Sequence, residues 1–294
     1  MRVVGLGGGH GLASTLRAAR LYASDVAAVV TVADDGGSSG RLTRELGIPP
    51  PGDIRNCLVA LSNDSELARL YQHRFESGAL TGHPAGNLLI AALTEMTGDF
   101  AGAVDRAGRL LGARGRVYPA TTDLVELNAR VDGGVIEGQA NVASTEARIH
   151  AVYLDPPEPR AHPPAVEAIA AADQLLLGPG SLFTSLIATL LVPGIKDAVQ
   201  GARAQKVFLC NARMQKGETE GLDAAAHLEA LLAHAGEGSV DVMVVQSPPH
   251  PDVGVPVDRA ALERLGASVV EVDIAGEDGG HDPTRLAACL KELA

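Results

Sequence analysis

Short runs of almost continuous apolar residues constrain the fold of this chain more than any other sequence feature. The runs are Arg2–Leu6, Val26–Val32, Gln174–Leu177, Lys206–Cys210, Val240–Val245 and Ser268–Val272. A strand with one face in water alternates apolar and polar residues, whereas an uninterrupted run is typical of a strand buried on both faces. Helical patterns separate the runs, so the sequence predicts an α/β fold: a parallel sheet between two helical layers, in a Rossmann-like three-layer arrangement.

The segments between these runs have the periodicity or the length of helices. The predicted helices are Leu12–Tyr22, Ser65–Phe75, Gly86–Met96, Ala101–Leu111, Ala165–Ala172, Leu182–Leu190, Ala224–His234, Arg259–Leu265 and Thr284–Leu293. The last of them has the clearest start, because Asp282 is a favoured N-cap residue and Pro283 is favoured at the first helical position.

A different pattern, with short strands and turn residues, covers residues 117–154. Its predicted strands are Leu124–Arg130, Val135–Gln139 and Arg148–Tyr153. The turn Asp132-Gly133-Gly134 between the first two is a hairpin signal. We therefore expect a small β-rich insertion within a single domain that spans residues 1–294, followed by the stiff proline-rich connector Asp155–Pro159.

The charge of the chain limits the partners that it can bind. Its formal net charge is −12, and only 3% of its residues are aromatic, with no tryptophan. Nucleic acids need a basic surface and single strands need aromatic stacking platforms, so no nucleic-acid partner is expected. A small anionic ligand is compatible with this composition, because backbone N–H groups and a few local arginines are enough to hold it.

The sequence contains no apolar run of the ~18 residues that a membrane span requires. The chain passes from Met1 directly into a motif-bearing strand, which leaves no room for a signal peptide, so we expect a cytoplasmic protein. Cys57, Cys210 and Cys289 match neither a disulfide framework nor a zinc site, in agreement with a reducing compartment.

The turn Gly5-Leu6-Gly7-Gly8-Gly9-His10-Gly11 joins the first predicted strand to the first predicted helix. Glycines let the backbone approach a phosphate closely, and the helix N-terminus supplies oriented N–H donors. Asp34 follows the second strand, about where a dinucleotide fold places its ribose-binding acid. We predict ligand contacts at Gly8, Gly9, His10 and Gly11; the alternative is a tight connection with no ligand.

The segment from Asp34 to Arg41 combines two carboxylates, glycines, two hydroxyls and an arginine. Asp34 and Asp35 are candidates for ribose hydroxyls or for Mg²⁺, which prefers carboxylate and phosphate oxygens. A second anion-binding nest is predicted at Gly36–Gly40, with contacts from Gly37, Ser38 and Ser39. Arg41 would pair with a phosphate. The alternative is a solvated turn, since Asp and Gly are ordinary turn residues.

Further candidates lie in four loops that precede helices or follow strands. They are Asp53, Arg55 and Asn56 in the rigid turn Pro50–Asn56; Asn87 after Gly82–Gly86; Gly178, Gly180 and Ser181 in a second strand–turn–helix; and Asn211 with Arg213 after a strand. Arg55 is a candidate phosphate clamp, and Ser181 a candidate helix cap whose hydroxyl faces a ligand. His83 is expected to be structural. The alternative for each loop is capping alone.

Two absences narrow the chemistry. The first glycine turn lacks the Lys-Ser/Thr ending of a Walker loop, so ATPase activity is disfavoured. No predicted helix carries His, Asp and Glu at the spacing of a zinc site.

At these positions the chain closely resembles the YvcK family, the gluconeogenesis factors, within the CofD-like superfamily. The similar blocks are Gly7–Leu12, Val32–Arg41, Pro50–Asn56, Gly86–Leu88 and Gly178–Leu182, and the similarity continues in order to His281–Pro283. The resemblance implies a CofD-like Rossmann fold, binding of UDP-sugars such as UDP-N-acetylglucosamine, and a role in cell shape and in growth on gluconeogenic carbon sources. A related branch transfers a phospholactyl group from a guanosine-diphosphate donor to a deazaflavin, with Mg²⁺.

The sequence departs from the family pattern at a few positions. His10 replaces the commoner Thr, Met214 and Lys216 stand for Thr and Pro, Leu222 stands for an aromatic residue, and Gly280 stands where relatives often have a basic residue. These changes concern ligand contacts rather than the fold.

The favoured hypothesis is therefore a non-catalytic regulator that binds a UDP-sugar and acts on protein partners. The alternative is a Mg²⁺-dependent phosphotransferase in which Asp34 and Asp35 hold the metal. An NAD-dependent oxidoreductase is third, because the sequence offers no proton relay. A homodimer is expected only because cyclic dimers are the commonest soluble assemblies.

Overall fold

Strand β1 lies inside a parallel sheet, with the next two strands of the sheet on one side of it and the later strands on the other. In the computed structural model, which describes residues 1–276 and 279–294, seven strands form this sheet in the order β10-β9-β8-β7-β1-β2-β3. They are β1 (Arg2–Gly7), β2 (Asp25–Val30), β3 (Arg116–Pro119), β7 (Gln174–Leu177), β8 (Gln205–Leu209), β9 (Val242–Gln246) and β10 (Ser268–Val272). The sequential order reverses between β1 and β7, and open α/β sheets bind ligands at such a switch point.

Helices cover both faces of the sheet. They are α1 (Gly9–Ala19), α2 (Gly37–Leu46), α3 (Gly52–Leu61), α4 (Glu66–Gln72), α5 (Ala85–Thr97), α6 (Phe100–Leu111), α7 (Gln139–Ala143), α8 (Pro163–Ala170), the π-helical segment Leu182–Ile187 that continues into α9 (Ala188–Leu190), α10 (Pro193–Gly201), α11 (Ala224–Ala235), α12 (Arg259–Arg264) and α13 (Pro283–Leu293). The predicted α/β class is confirmed. The central strands are buried on both faces, as their uninterrupted apolar runs require.

A small antiparallel sheet of β4 (Glu126–Val131), β5 (Gly134–Glu137) and β6 (Ile149–Asp155) accompanies the main sheet, in the order β5-β4-β6. Leu127, Val152 and Leu154 from this small sheet join the same buried cluster as Leu6 and Phe208 of the main sheet. The small sheet therefore packs on the core that covers one face of the main sheet.

The predicted start of the β insertion at residue 117 is wrong. Val117 lies in β3, which pairs in parallel with β2 through Ala28, so this strand forms an edge of the main sheet. Its four residues are too short a run to show the parallel-sheet pattern. The antiparallel strands begin at Glu126.

Two segments that we predict as loops are the first turns of helices. The Gly36–Gly40 nest and the Pro50–Asn56 turn coincide with the starts of α2 and α3. At Gly40 an added Cβ would lie 1.7 Å from the carbonyl oxygen of Asp35. Glycine is therefore needed there for close packing in a helical turn. Because glycine is typical of turns, the sequence pattern does not predict this helix start.

Within the described ranges, no single helix is long and apolar enough to cross a membrane. One bent pair, Leu182–Leu190 with Pro193–Gly201, satisfies length and composition when its two members are taken together.

Candidate functional site

The two glycine turns that follow β1 and β7 contact each other at the switch point. A Cβ added at Gly11 would lie 2.5 Å from the carbonyl oxygen of Pro179 and 2.8 Å from the nitrogen of Gly180. On the next turn of α1, the Thr15 hydroxyl donates to the carbonyl of Gly178 at 3.0 Å. The two turns, predicted separately, therefore form one continuous backbone wall.

Asp53 from the start of α3 lies against the first glycine turn. A Cβ added at Gly8 would lie 2.3 Å from Asp53 Oδ2, so only glycine leaves room for this carboxylate. Burial, followed by the nearby charge of Asp34, raises the pKa of Asp53 to about 7, while the Gly9 N–H and the Arg55 charge oppose the shift. This carboxyl group therefore changes protonation near neutral pH.

Asp34 is the second carboxylate at this end of the sheet. Its Oδ1 accepts from the Gly36 N–H at 3.0 Å. A Cβ added at Gly52 would lie 2.4 Å from Ser39 Oγ and 3.4 Å from Asp34 Oδ2, which places Asp34 and Ser39 beside the start of α3. Burial raises the pKa of Asp34, and the hydrogen bonds from Gly36 and Ser39 act against that rise. Asp34 and Asp53 thus form an acidic pair between the ends of β1 and β2.

Asp35 faces a different element from Asp34. Its Oδ1 accepts from the Ala140 N–H at 2.8 Å, and a Cβ at Gly138 would lie 2.4 Å from its Oδ2. Asp35 therefore ties the loop before α2 to the start of α7, and the expected Asp34–Asp35 pair is not oriented toward one ligand. Within the described residues, no group of three or more His, Cys, Asp or Glu side chains is arranged to hold a metal.

Arg55 stands at the centre of a buried chain of polar side chains. Its Nη1 donates to Asn87 Oδ1 at 2.8 Å and its Nη2 to Asn56 Oδ1 at 2.7 Å. Asn87 Nδ2 donates to Ser38 Oγ at 3.0 Å, and Ser38 Oγ lies 2.8 Å from His83 Nδ1. The chain joins α2, α3 and α5, so Arg55, Asn56, Ser38 and Asn87 position the site's helices through mutual contacts.

Burial, with a smaller contribution from Arg74, lowers the pKa of Arg55 to about 10. Arg55 is only 6% exposed, and its charge acts on Asp34 and Asp53 from within the protein. Arg55 thus affects the acidic pair through its charge. Its role as a phosphate clamp stays a prediction.

Arg41 contacts the loop before α5. Its Nη2 donates to the carbonyl of Thr81 at 2.8 Å, and Arg74 donates to the carbonyl of Gly82 in the same loop. Its assignment to a phosphate remains a prediction.

At the second glycine turn, amide side chains hold the backbone. Asn211 Oδ1 accepts from the Gly180 N–H at 3.1 Å, and Asn211 Nδ2 donates to Gln215 Oε1 at 3.1 Å. Gln215 Nε2 in turn lies 3.4 Å from Ser181 Oγ. Asn211 and Ser181 are therefore brought together, while the exposed Arg213 packs its guanidinium against Gly279.

Glu218 is a residue of this site that sequence reasoning missed. Its Oε1 accepts from the N–H groups of Phe183 at 2.7 Å and of Thr184 at 2.8 Å. Among the described residues, Ser181 makes no side-chain cap to this helix, so the cap predicted for it is wrong. Burial raises the pKa of Glu218 against the effect of these two N–H donors. The helix start after the second glycine turn is thus already occupied by the chain's own carboxylate.

The remaining predicted residues border the site or lie beside it. His10 and Gly37 are exposed in the first turns of α1 and α2. Lys216 and Leu222 line a cleft of about 760 Å³ that also contacts Phe183 and Glu218.

The chain is similar over nearly its whole length to proteins of one family. The family model of 2-phospho-L-lactate transferase CofD matches residues 3–275. The gluconeogenesis factor of Halalkalibacterium halodurans is 43% identical over 282 residues, which cover 91% of this chain and 88% of that protein. The gluconeogenesis factor of Bacillus subtilis is 42% identical over 304 residues, which cover 98% of this chain and 96% of that protein.

The chain belongs to the gluconeogenesis factor family. The resemblance to the YvcK family is thereby confirmed, with the CofD fold as its wider group. A crystal structure of a UPF0052 family protein from Bacillus halodurans has the same architecture, with a TM-score of 0.95 and 40% identity over 98% of each chain. The present chain therefore carries its acidic pair and its paired glycine turns on the same architecture as that crystal structure.

The raised pKa of Asp53 makes stability depend on pH. The folded-state pKa of about 7 lies above the ordinary value of 3.8, so the folded state binds more protons between these two values. We expect the free energy of unfolding to fall as the pH rises through this window, and Asp53→Asn to remove that part of the slope. Urea titrations across the window measure it; equal slopes in both proteins would contradict the assignment.

Glu218 is expected to stabilise the helix start through its oxygen more than through its charge. Glu218→Ala leaves the N–H groups of Phe183 and Thr184 buried without that acceptor, at a cost of about 1–3 kcal/mol each. Glu218→Gln keeps an acceptor and should unfold near the wild-type urea midpoint. If the alanine variant is as stable as the glutamine variant, Glu218 does not satisfy these groups.

Proposed function

We propose that this chain binds a nucleotide diphosphate of the UDP-sugar type, with UDP-N-acetylglucosamine as the first candidate, and regulates cell shape and growth on gluconeogenic carbon sources. The observation that carries the proposal is the junction of the two glycine turns, where the backbone of Gly11 contacts Pro179 and Gly180. Such a junction at a switch point of a parallel sheet is where nucleotide phosphates bind in α/β folds.

Two helix N-termini supply donors for two phosphates. Helices α1 and α2 begin at glycines, and neither has an acidic residue in its own first turn. Within the described residues, their N-cap glycines Gly8 and Gly36 provide no side-chain cap. Asp53 accepts from the Gly9 N–H of α1 and Asp34 from the Gly36 N–H before α2, so a phosphate would bind the N–H groups that follow these two. N–H groups at the positive end of a helix dipole are the ordinary donors to phosphate. A diphosphate that spans these two helix starts is favoured over one at the third helix start, where Glu218 accepts from two consecutive N–H groups.

The groups that would contact the rest of the ligand lie on either side of this position. Asp34, in the loop that follows β2, has the acceptors that ribose hydroxyls require. The cleft beside the second glycine turn, about 760 Å³ in volume, is lined by Lys216, Glu218 and Arg148 among others. Charged and polar groups of this kind suit the hydroxyl and amide groups of an activated sugar.

A regulatory role rather than turnover is supported by the way in which the site's polar groups are used. The hydrogen bonds of three polar side chains go to other residues of the protein: Arg55 donates to Asn87, Asn87 donates to Ser38, and Glu218 accepts from Phe183. Relatives at more than two-fifths identity are named gluconeogenesis factors.

A second candidate function is Mg²⁺-dependent transfer of a phospho-group from a nucleotide-diphosphate donor. The acidic pair favours it, because Mg²⁺ is usually held by one or two carboxylates together with substrate phosphates. Asp34 and Asp53, rather than Asp34 and Asp35, are the carboxylates that would hold such an ion. The ion would neutralise charge on the phosphates. The family model named for 2-phospho-L-lactate transferase points in the same direction.

Isothermal titration with UDP-N-acetylglucosamine tests the binding proposal. Asp34→Asn should weaken binding about tenfold, because a hydrogen bond to a charged acceptor contributes ~1.5–3 kcal/mol. Asp105→Asn is the matched control: it removes a carboxylate paired with Arg109 on the exposed face of α6 and should bind like the wild type. Absence of binding at millimolar ligand would refute the proposal.

The transferase candidate is tested by incubating the protein with Mg²⁺, a deazaflavin acceptor and a guanosine-diphosphate-activated phospholactate donor. Turnover in the wild type should disappear in Asp53→Asn while the variant still unfolds cooperatively. If the protein binds the UDP-sugar but shows no turnover, the transferase candidate is excluded and the regulatory function remains.

A further inference from the structure

A cluster of arginines lies at the opposite end of α1 and α3 from the glycine turns. Both helices start at the carboxyl edge of the sheet, so their last turns lie toward its amino edge. A groove of about 410 Å³ opens there, and Arg17, Arg20 and Arg69 line it. We call this surface the arginine groove. Among its described lining residues, Asp64 is the one carboxylate.

Arg20 is held rigidly in the groove. Its Nη1 donates to the carbonyls of Ala60 at 3.0 Å and Ser62 at 2.6 Å, and its Nη2 donates to Asn63 Oδ1 at 3.1 Å. These bonds satisfy carbonyls at the end of α3, which gives this arginine a structural purpose. Its guanidinium is thereby fixed in place before any partner arrives.

The other arginines exceed what helix capping requires. Arg17 in the last turn of α1 complements that helix's dipole. Arg69 lies in α4. Arg114 lies in the loop after α6, and its backbone N–H donates to the carbonyl of Leu61 at 2.8 Å. Burial, followed by the charges of Arg114 and Arg17, lowers the pKa of Arg20, so these like charges act on one another. An anion bound among them would reduce their mutual repulsion.

The groove also has apolar walls. Val59, Ala60 and Ala68 line it beside the arginines. In a chain with a net charge of −12, this is a local positive surface with an apolar floor. A small inorganic anion would use the arginines and leave the apolar walls unused. A peptide that alternates carboxylates with apolar side chains would use both.

We propose that the arginine groove is a docking site for an acidic polypeptide segment of a partner protein. The fit rests on charge complementarity with Arg17 in the groove and with the exposed Arg114 near Arg20, and on the apolar walls. Arg69 is already paired with Asp64, whose Oδ1 accepts from its Nη1 at 3.0 Å. This docking does not depend on which nucleotide the glycine turns bind.

A hydrogen-bond chain leads from the groove toward the glycine turns. Gln72 lines the groove, and its Nε2 donates to Asn56 Oδ1 at 3.4 Å. Asn56 Oδ1 also accepts from Arg55 at 2.7 Å. A segment seated in the groove would therefore contact a side chain that is two hydrogen bonds from Arg55.

The test uses the full chain and a fluorescein-labelled peptide of repeated Glu-Glu-Leu, with binding followed by fluorescence anisotropy. The double variant Arg17→Glu with Arg114→Glu should weaken binding at least about tenfold, because two attractive charges become repulsive. Raising the salt should weaken binding to the wild type as well, since exposed charges are screened.

The matched control is Arg106→Glu with Arg203→Glu, which makes the same change in net charge at exposed arginines outside the groove. It should bind the peptide like the wild type. If both double variants lose the same peptide affinity, the loss reflects net charge rather than the groove, and the proposal is overturned. Absence of peptide binding would also overturn the proposal. A third contrary outcome is thermal stabilisation by pyrophosphate that depends on Arg17 and Arg114 and is not reduced by added peptide, because it would assign the groove to a small anion.

Discussion

The close contact of the two glycine turns determines the geometry of everything around it. Strands β1 and β7 are adjacent and parallel, so the turns that follow them leave the sheet side by side. Because Gly11 has no side chain, the backbone of Pro179 and Gly180 comes within van der Waals distance of α1. Gly8 leaves space on the other side for Asp53. Larger residues at these two positions would separate the turns and displace the acid that lies between them.

Carboxylates at element starts are the second organising feature of this end of the molecule. Asp53 accepts from the Gly9 N–H at α1, Asp34 from Gly36 before α2, Asp35 from Ala140 in α7, and Glu218 from the helix start after the second glycine turn. These interactions follow from the positive end of each helix dipole. They also define what an anionic ligand must overcome, because phosphate at α1 approaches the acidic pair. Protonation of Asp53 near neutral pH, or a bound divalent cation, would reduce that repulsion.

The parts of this picture that the sequence predicts are those with a local or periodic signal. Short apolar runs such as Gln174–Leu177, separated by helical patterns, predict the buried strands, and the position of the first glycine turn between strand and helix predicts that turn. The starts of α2 and α3 have the composition of loops, because their glycines and prolines are also ordinary turn residues. Glu218 was missed for a different reason: its partners are distant in sequence, and only the folded chain brings its carboxylate to Phe183.

Helices α1 and α3 connect the two ends of the molecule in a way that suits a ligand-dependent regulator. Their N-termini carry the glycine turn and Asp53, and their C-terminal ends carry Arg17 and the carbonyls that Arg20 holds. An anion at the N-terminal ends is favoured by the helix dipoles, whereas an acidic segment at the other end would be attracted by the arginines against those dipoles. Energetic coupling between two sites is reciprocal, so a ligand that shifts these helices relative to each other changes both surfaces. The buried hydrogen bonds of Arg55 to Asn56 and Asn87 would oppose such a shift, so any coupling between the two ends would have to work against this polar chain.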